Sequence, residues 1–260
     1  MNIKKFNRTE FKGKIIGMVL GDGYLTKNRK NSHLAFKHSI KQKEYFGRKV
    51  KVVEELTSVN IRKEISKING KEYEVLVCET KSHPIYTELK DRFYYQGRKT
   101  IDEFLMKTLS VEGLAYWYQD DGTRGTDVLN QQAIICTDCF NKVEQDFMSY
   151  WLAKRFNLHF EPLKYKNSFR LRLRVKEVDK FAEMIRPYIV ESMKYKIDFH
   201  KPRDYAKKFI CPNCEKEYLG RKEHKFCSIK CSQQYLWKKG RSNLFKNEKL
   251  RRYSLNSMAT

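Results

Sequence analysis

Two short stretches of this chain close in the same way. Ile15-Ile16-Gly17-Met18-Val19-Leu20-Gly21-Asp22-Gly23 runs as an apolar helix into an Asp-Gly. Leu114-Ala115-Tyr116-Trp117-Tyr118-Gln119-Asp120-Asp121-Gly122 does so again about a hundred residues later. Gly23 and Gly122 alone could be helix stop signals. A carboxylate at a helix C-terminus, however, is opposed by the helix dipole. Having one twice, at matched places, calls for a compensating partner. Two such helices packed side by side bring both carboxylates to one point, where a shared divalent cation offsets the repulsion. Gly17 and Gly21, four apart, allow that close approach. The second helix has Tyr116 and Asp120 at the matching positions, so its share of the packing is assigned to Ala115.

The segments after the two motifs repeat as well. The first helix is expected to start after Thr9 and the second after Ser110, with Glu112 in its first turn. After each Asp-Gly the apolar period shifts towards 2, and 33–40 and 132–137 read as strands. Helices are expected over 43–56 and 142–156. Strands over 60–68 and 71–80 flank Asn69-Gly70, a strong hairpin signal, and their counterparts over 158–166 and 168–176 flank Asn167. Helices over 84–93 and 177–185 then lead to basic segments, Arg98-Lys99-Thr100-Ile101-Asp102 and Tyr195-Lys196-Ile197-Asp198. Lys99 lies 77 positions after Asp22, and Lys196 lies 75 after Asp121. Order and spacing define an internal duplication of helix, two strands, helix, two strands, helix.

A formal charge of +23 on 260 residues points to a polyanionic partner. With paired carboxylates in so basic a chain, the natural substrate is a phosphodiester. In Ser168-Phe169-Arg170-Leu171-Arg172-Leu173-Arg174-Val175 the arginines alternate with apolar residues. One strand face then packs on helices while Arg170, Arg172 and Arg174 form a cationic face suited to nucleic acid. No run reaches the length of a membrane span, and no apolar segment follows Met1 as in a secretion signal. The seven cysteines therefore read as reduced thiols or metal ligands of an intracellular protein.

Both motifs resemble the signature of LAGLIDADG homing endonucleases, in the single-chain, two-motif branch of the ω-intron endonuclease type. The second motif is the closer match. Phe181-Ala182-Glu183-Met184-Ile185-Arg186-Pro187-Tyr188-Ile189, followed by Ser192-Met193-Lys194-Tyr195-Lys196, is a further block of resemblance, and Lys41-Gln42-Lys43-Glu44-Tyr45 a weaker one. The resemblance covers about residues 10 to 200. It implies an α+β fold of two pseudo-symmetric αββαββα halves, 1–108 and 109–200, forming a basic saddle over double-stranded DNA. It implies that Asp22 and Asp121 hold Mg²⁺, and that Lys99 and Lys196 are the two basic residues of the cleavage pocket. Such a lysine can offset charge in the transition state or polarise the attacking water. The implied activity is cutting of a long asymmetric site by a monomer, leaving 3′ overhangs. RNA binding by an intron maturase is the alternative.

The segment 201–260 has a different character. It carries 16 Lys+Arg against 5 Asp+Glu, about half the net charge. Cys211-Pro212-Asn213-Cys214 and Cys227-Ser228-Ile229-Lys230-Cys231 are two close pairs twelve residues apart, a layout suited to one structural, tetrahedral Zn²⁺. His224 is an alternative ligand. Phe226-Cys227-Ser228-x-x-Cys231, running into a helical stretch, resembles the second half of a treble-clef zinc finger. Lys222, Lys238, Lys239 and Arg241 would then grip phosphates. Cys136-Thr137-Asp138-Cys139 has the spacing of a zinc pair but no second pair nearby, so Cys78, Cys136 and Cys139 are assigned to packing.

Overall fold

The first helix is set by Asn7, whose side chain accepts from the N–H groups of Thr9 and Glu10 at 3.1 Å. Asn7, and not the expected Thr9, is therefore the N-cap, and α1 spans Arg8–Leu20. The computed structural model describes residues 6–28, 30–125, 132–199, 207–220 and 225–238. After α1 come β1 (Tyr24–Asn28), β2 (Asn31–Ser39), α2 (Lys43–Val53), β3 (Val59–Ile68), β4 (Lys71–Thr80) and α3 (Pro84–Phe93). A two-residue hairpin, β5 (Tyr94–Tyr95) and β6 (Arg98–Lys99), leads to α4 (Glu103–Thr108), a short helix that the duplicated pattern does not predict.

The second half repeats the order with α5 (Val111–Asp121), β7 (Gly122–Arg124), β8 (Ala133–Ile135), α6 (Lys142–Phe156), β9 (Phe160–Tyr165), β10 (Ser168–Leu173) and α7 (Val175–Ile185). Ser110 caps α5 as expected, accepting from the Gly113 N–H, and Glu112 lies in the first turn. Each half builds one antiparallel four-stranded sheet, in the orders β1-β2-β4-β3 and β7-β8-β10-β9. At Asn69-Gly70 both residues have positive φ, 50° and 76°, the turn whose twist matches a two-residue hairpin.

The register separates two faces. Leu34, Phe36 and Cys78 are buried on one side of the first sheet, beneath Phe46, Val50, Tyr86 and Leu89 of the helices. Leu171 and Leu173 play the same part in the second sheet, beneath Met148, Leu152, Val178 and Phe181. One apolar core runs through both halves, with α1 and α5 at its centre. Fully burying each large apolar side chain of these helices contributes about 1.5–3 kcal/mol.

The approach of α1 to α5 is closer than the sequence suggests. A Cβ on Gly17 would collide with the Gly113 carbonyl, and one on Gly113 with the Gly13 carbonyl. The second helix thus supplies its own small residue, Gly113, nearly one turn before the position that Tyr116 fills.

The chain divides into two compact units, Met1–Phe199 and His200–Thr260. Described parts of the second unit are the hairpin β11 (Lys207–Ile210) and β12 (Glu217–Gly220) and the helix α8 (Ile229–Lys238). Among the described residues no helix is long and apolar enough to cross a membrane.

Candidate active site and nucleic-acid interface

Asp22 leaves the C-terminal end of α1 and Asp121 closes α5, so the packing of those helices brings the two carboxylates into one field. Burial, and then the charge of Asp120, raise the Asp22 carboxyl above its ordinary range. Burial, with Asp22 and Asp120 adding to it, pushes Asp121 up to about 7. Two carboxylates raised first by burial and then by neighbouring negative charge suit a divalent cation: the donors are hard oxygens, and the cation favours their charged forms.

Lys99 and Lys196 meet the ends of the two motif helices in matching ways. The Lys99 ammonium, on β6, donates to the carbonyls of Val19 (2.6 Å) and Gly21 (3.4 Å) at the end of α1. The Lys196 ammonium donates to the carbonyls of Gln119 (2.5 Å) and Asp120 (3.3 Å) at the end of α5. Each lysine answers the negative end of one motif helix. Burial lowers both ammonium pKa values, while Asp22, Asp120 and Asp121 pull them back up. All four residues singled out as catalytic are therefore brought together.

Three further residues at the site escape the sequence reading. Asp120 has a fully buried side chain that accepts from the backbone N–H of Asp22 at 3.0 Å. Lys49, also fully buried, donates to both Asp120 carboxylate oxygens at 2.9 and 3.3 Å. His38 Nε2 lies 3.2 Å from Lys49 Nζ, and its Nδ1 lies 3.8 Å from Asp22 Oδ2. Burial, and then Lys49, drop the His38 pKa to about 4, so the ring is neutral near pH 7. The available signal is an ionisable pair, His38 and Lys49, on otherwise apolar faces of a strand and a helix.

The outer sheet faces carry the candidate interface. β10 ends at Leu173, earlier than expected, because α7 starts at Val175 with Arg174 in the N-cap position, its carbonyl accepting from the Glu177 N–H. Arg170 and Arg172 stay on the strand, and Arg174 lies just beyond it. Each has a carboxylate partner: Arg170 reaches Asp138 at 2.9 Å and stacks on Tyr165, while Arg172 and Arg174 share Glu161. The face is thus a charge-paired lattice, not the bare cationic stripe expected. In the first sheet the corresponding outer rows are Tyr24, Ala35, Glu79 and Asn60, then Lys37, Val77 and Arg62.

Cys78 is buried, as expected of a packing thiol, but Cys136 is only half-buried and Cys139 is exposed. The packing assignment fails for that pair because the segment after β8 runs along the rim of the site. Cys139 feels the charges of Lys99 and Asp121.

In the second unit the sulfurs of Cys211, Cys214, Cys227 and Cys231 all lie within 4.8 Å of one another. Two of the separations are 3.6 Å (Cys214–Cys227) and 3.4 Å (Cys227–Cys231). A tetrahedron of about 2.3 Å Zn–S bonds has edges of about 3.8 Å, so four free thiols are already gathered at nearly that scale. Asn213 joins this knuckle to α8 through Gln234 at 3.0 Å. Lys222, Lys239, Arg241 and His224 lie outside the described residues, as does the side chain of Lys238.

Comparison with known proteins agrees with this geometry. A probable intron-encoded endonuclease 1 of Wickerhamomyces canadensis is 27% identical over 191 residues, covering 72% of this chain and 83% of that protein. The cytochrome b mRNA maturase bI2 of Debaryomyces hansenii is 24% identical over 189 residues, covering 70% of this chain and 71% of the relative. The structure of the homing endonuclease I-WcaI bound to its DNA recognition sequence superimposes with a TM-score of 0.66 at 26% identity, covering 75% of this chain and 88% of that one. Residues 12–181 match the family of LAGLIDADG DNA endonucleases, and the chain belongs to that family.

Proposed function

We propose that this protein is a homing endonuclease that cuts both strands of a long, asymmetric DNA site. The observation that carries this reading is the meeting of Asp22 and Asp121 at the ends of two packed helices, each flanked by a lysine anchored on helix-end carbonyls. The kinship with a DNA-bound homing endonuclease supports it.

Asp22 and Asp121 would hold Mg²⁺. When bound, the cation supplies positive charge at the scissile phosphate and eases deprotonation of the attacking water. Lys99 and Lys196 each direct two N–H donors to carbonyls and keep a third for a phosphate oxygen or for that water. Hydrolysis leaves 3′-hydroxyl and 5′-phosphate ends, with 3′ overhangs.

The halves 1–108 and 109–200 would each read one half-site, which makes an asymmetric target natural for a monomer. On the second sheet the partly buried Arg170 and Arg172 would exchange their carboxylate partners, Asp138 and Glu161, for bases or phosphates. The extension 201–260 would be a zinc-stabilised module in which Cys211, Cys214, Cys227 and Cys231 hold Zn²⁺ and basic residues grip flanking phosphates.

The test is selection of a target from a randomised duplex library, followed by Mg²⁺-dependent cutting of the selected site. Failure to select or cut any duplex would contradict the reading. Kinship with a maturase makes intron RNA a second candidate partner. Tight, salt-resistant binding of folded intron RNA, with no cutting of DNA, would favour that reading.

A further inference from the structure

The interval of 99 positions between Asp22 and Asp121 also relates Lys43, the first residue of α2, to Lys142, the first of α6. In that register Gly21 corresponds to Asp120, His38 to Thr137 and Lys49 to Met148. Three departures from the internal symmetry thus meet at one point. Asp120 projects from the second half into the first, and a Cβ on Gly21 would run into its carboxylate. Where it arrives, the first half supplies a buried lysine and a buried histidine. The second half has no such carboxylate to receive, and at the same places it buries Thr137 and Met148.

Asp22, His38 and Asp120 have donor atoms close enough together to hold a metal. Lys49 already supplies the positive charge there, 2.9 Å from Asp120 Oδ2 and 3.2 Å from His38 Nε2, with the rings of Phe36 and Tyr45 at 4.9 and 5.2 Å. The charge of Asp120 is therefore already compensated. Besides Lys49 it faces His38 Nε2 at 3.8 Å and Tyr45, and it reaches the site by accepting the N–H of Asp22.

We propose that Lys49, Asp120 and His38 form a one-sided positioning cluster for Asp22. Lys49 holds Asp120, Asp120 fixes the backbone of Asp22, and His38 limits the swing of its carboxylate from 3.8 Å away. Asp121 has no matching set, because its counterpart positions are Gly21, Thr137 and Met148. The two strand cuts then depend unequally on this cluster. The inference rests on Asp22 and Asp121 being the metal-holding pair of the nuclease.

The experiment is strand-resolved single-turnover cleavage of the selected duplex by the full chain, with Mn²⁺ binding followed by electron paramagnetic resonance and folding by thermal melting. His38→Thr installs the residue the second half uses. It is expected to slow one strand about tenfold and the other less than about threefold, with DNA affinity held within about twofold. Mn²⁺ binding is expected to weaken in step. Lys49→Met leaves Asp120 an uncompensated buried charge and is expected to lower the melting temperature. Adding Asp120→Asn removes both charges but keeps an acceptor for the Asp22 N–H. The double variant is expected to recover the melting temperature and to show a strand bias of the same sense as His38→Thr.

An unchanged ratio of the two strand rates in folded His38→Thr protein, or equal losses on both strands, would overturn the proposal. Absence of cutting by the unaltered protein would instead overturn the nuclease reading, so the two failures are told apart.

Discussion

The charges at the helix ends set a pH signature. Asp121, raised to about 7, keeps a proton in the folded chain that the unfolded chain releases near 3.8. The stability it contributes is full below about pH 4 and is lost as pH rises through 7. His38 works the other way: held near 4 against an ordinary 6.5, it costs stability as pH falls between those values. Asp121→Asn is therefore expected to stabilise the chelator-treated protein at pH 8 by about 1 kcal/mol or more, roughly 2–4 °C in melting temperature, with no gain near pH 4. Melting curves at the two pH values check it. Lys99→Met and Lys196→Met are each expected to lower the single-turnover cutting rate by more than about tenfold while changing DNA affinity less. Normal cutting by both would make them ordinary lysines. These four residues are legible because the duplication marks them twice, at intervals of 77 and 75. Asp120, Lys49 and His38 are not marked by the duplication: their contacts join positions 71 and 11 apart without any repeat, and the one signal is that His38 and Lys49 are ionisable groups on otherwise apolar faces.

Elements are legible where a local signal fixes them. Asn69-Gly70 sets its hairpin, Ser110 caps α5, and α6 runs over Lys142–Phe156, the range expected of it as the counterpart of the helix that starts at Lys43. Expectation and structure part where tertiary context decides. Alternation predicts that β10 continues through Lys176, whereas the chain turns into α7 at Val175. The spacing of Gly17 and Gly21 predicts a close helix interface, and both glycines lie in it, against Gly113 and Asp120; the spacing does not show that Gly13 and Gly113 extend the contact. Because the contacts of Gly17 and Gly113 are with backbone, which cannot move aside as a side chain can, Gly17→Val or Gly113→Val is expected to cost at least the roughly 1–3 kcal/mol typical of overpacking. Thermal melting measures it directly. A variant as stable as the unaltered protein would mean that α1 and α5 are not in backbone contact.

At the scale of the whole molecule, two units share the positive charge. If the extension grips DNA, ending the chain at Lys201 removes several phosphate contacts. The slope of log affinity against log salt, about −0.9 per neutralised phosphate, should then flatten by several units, and the footprint should shorten on one side only. Metal analysis of the full chain should find one Zn²⁺, and footprinting with salt titration checks the rest. An unchanged slope and footprint would confine the module to folding. The most direct measurement concerns the two carboxylates. Asp22→Asn and Asp121→Asn are compared with the unaltered chain for binding and Mg²⁺-dependent cutting of the selected duplex. The expected result is binding by all three proteins and double-strand cutting by the unaltered chain alone. Double-strand cutting by either variant at the unaltered rate would contradict a catalytic centre built on Asp22 and Asp121.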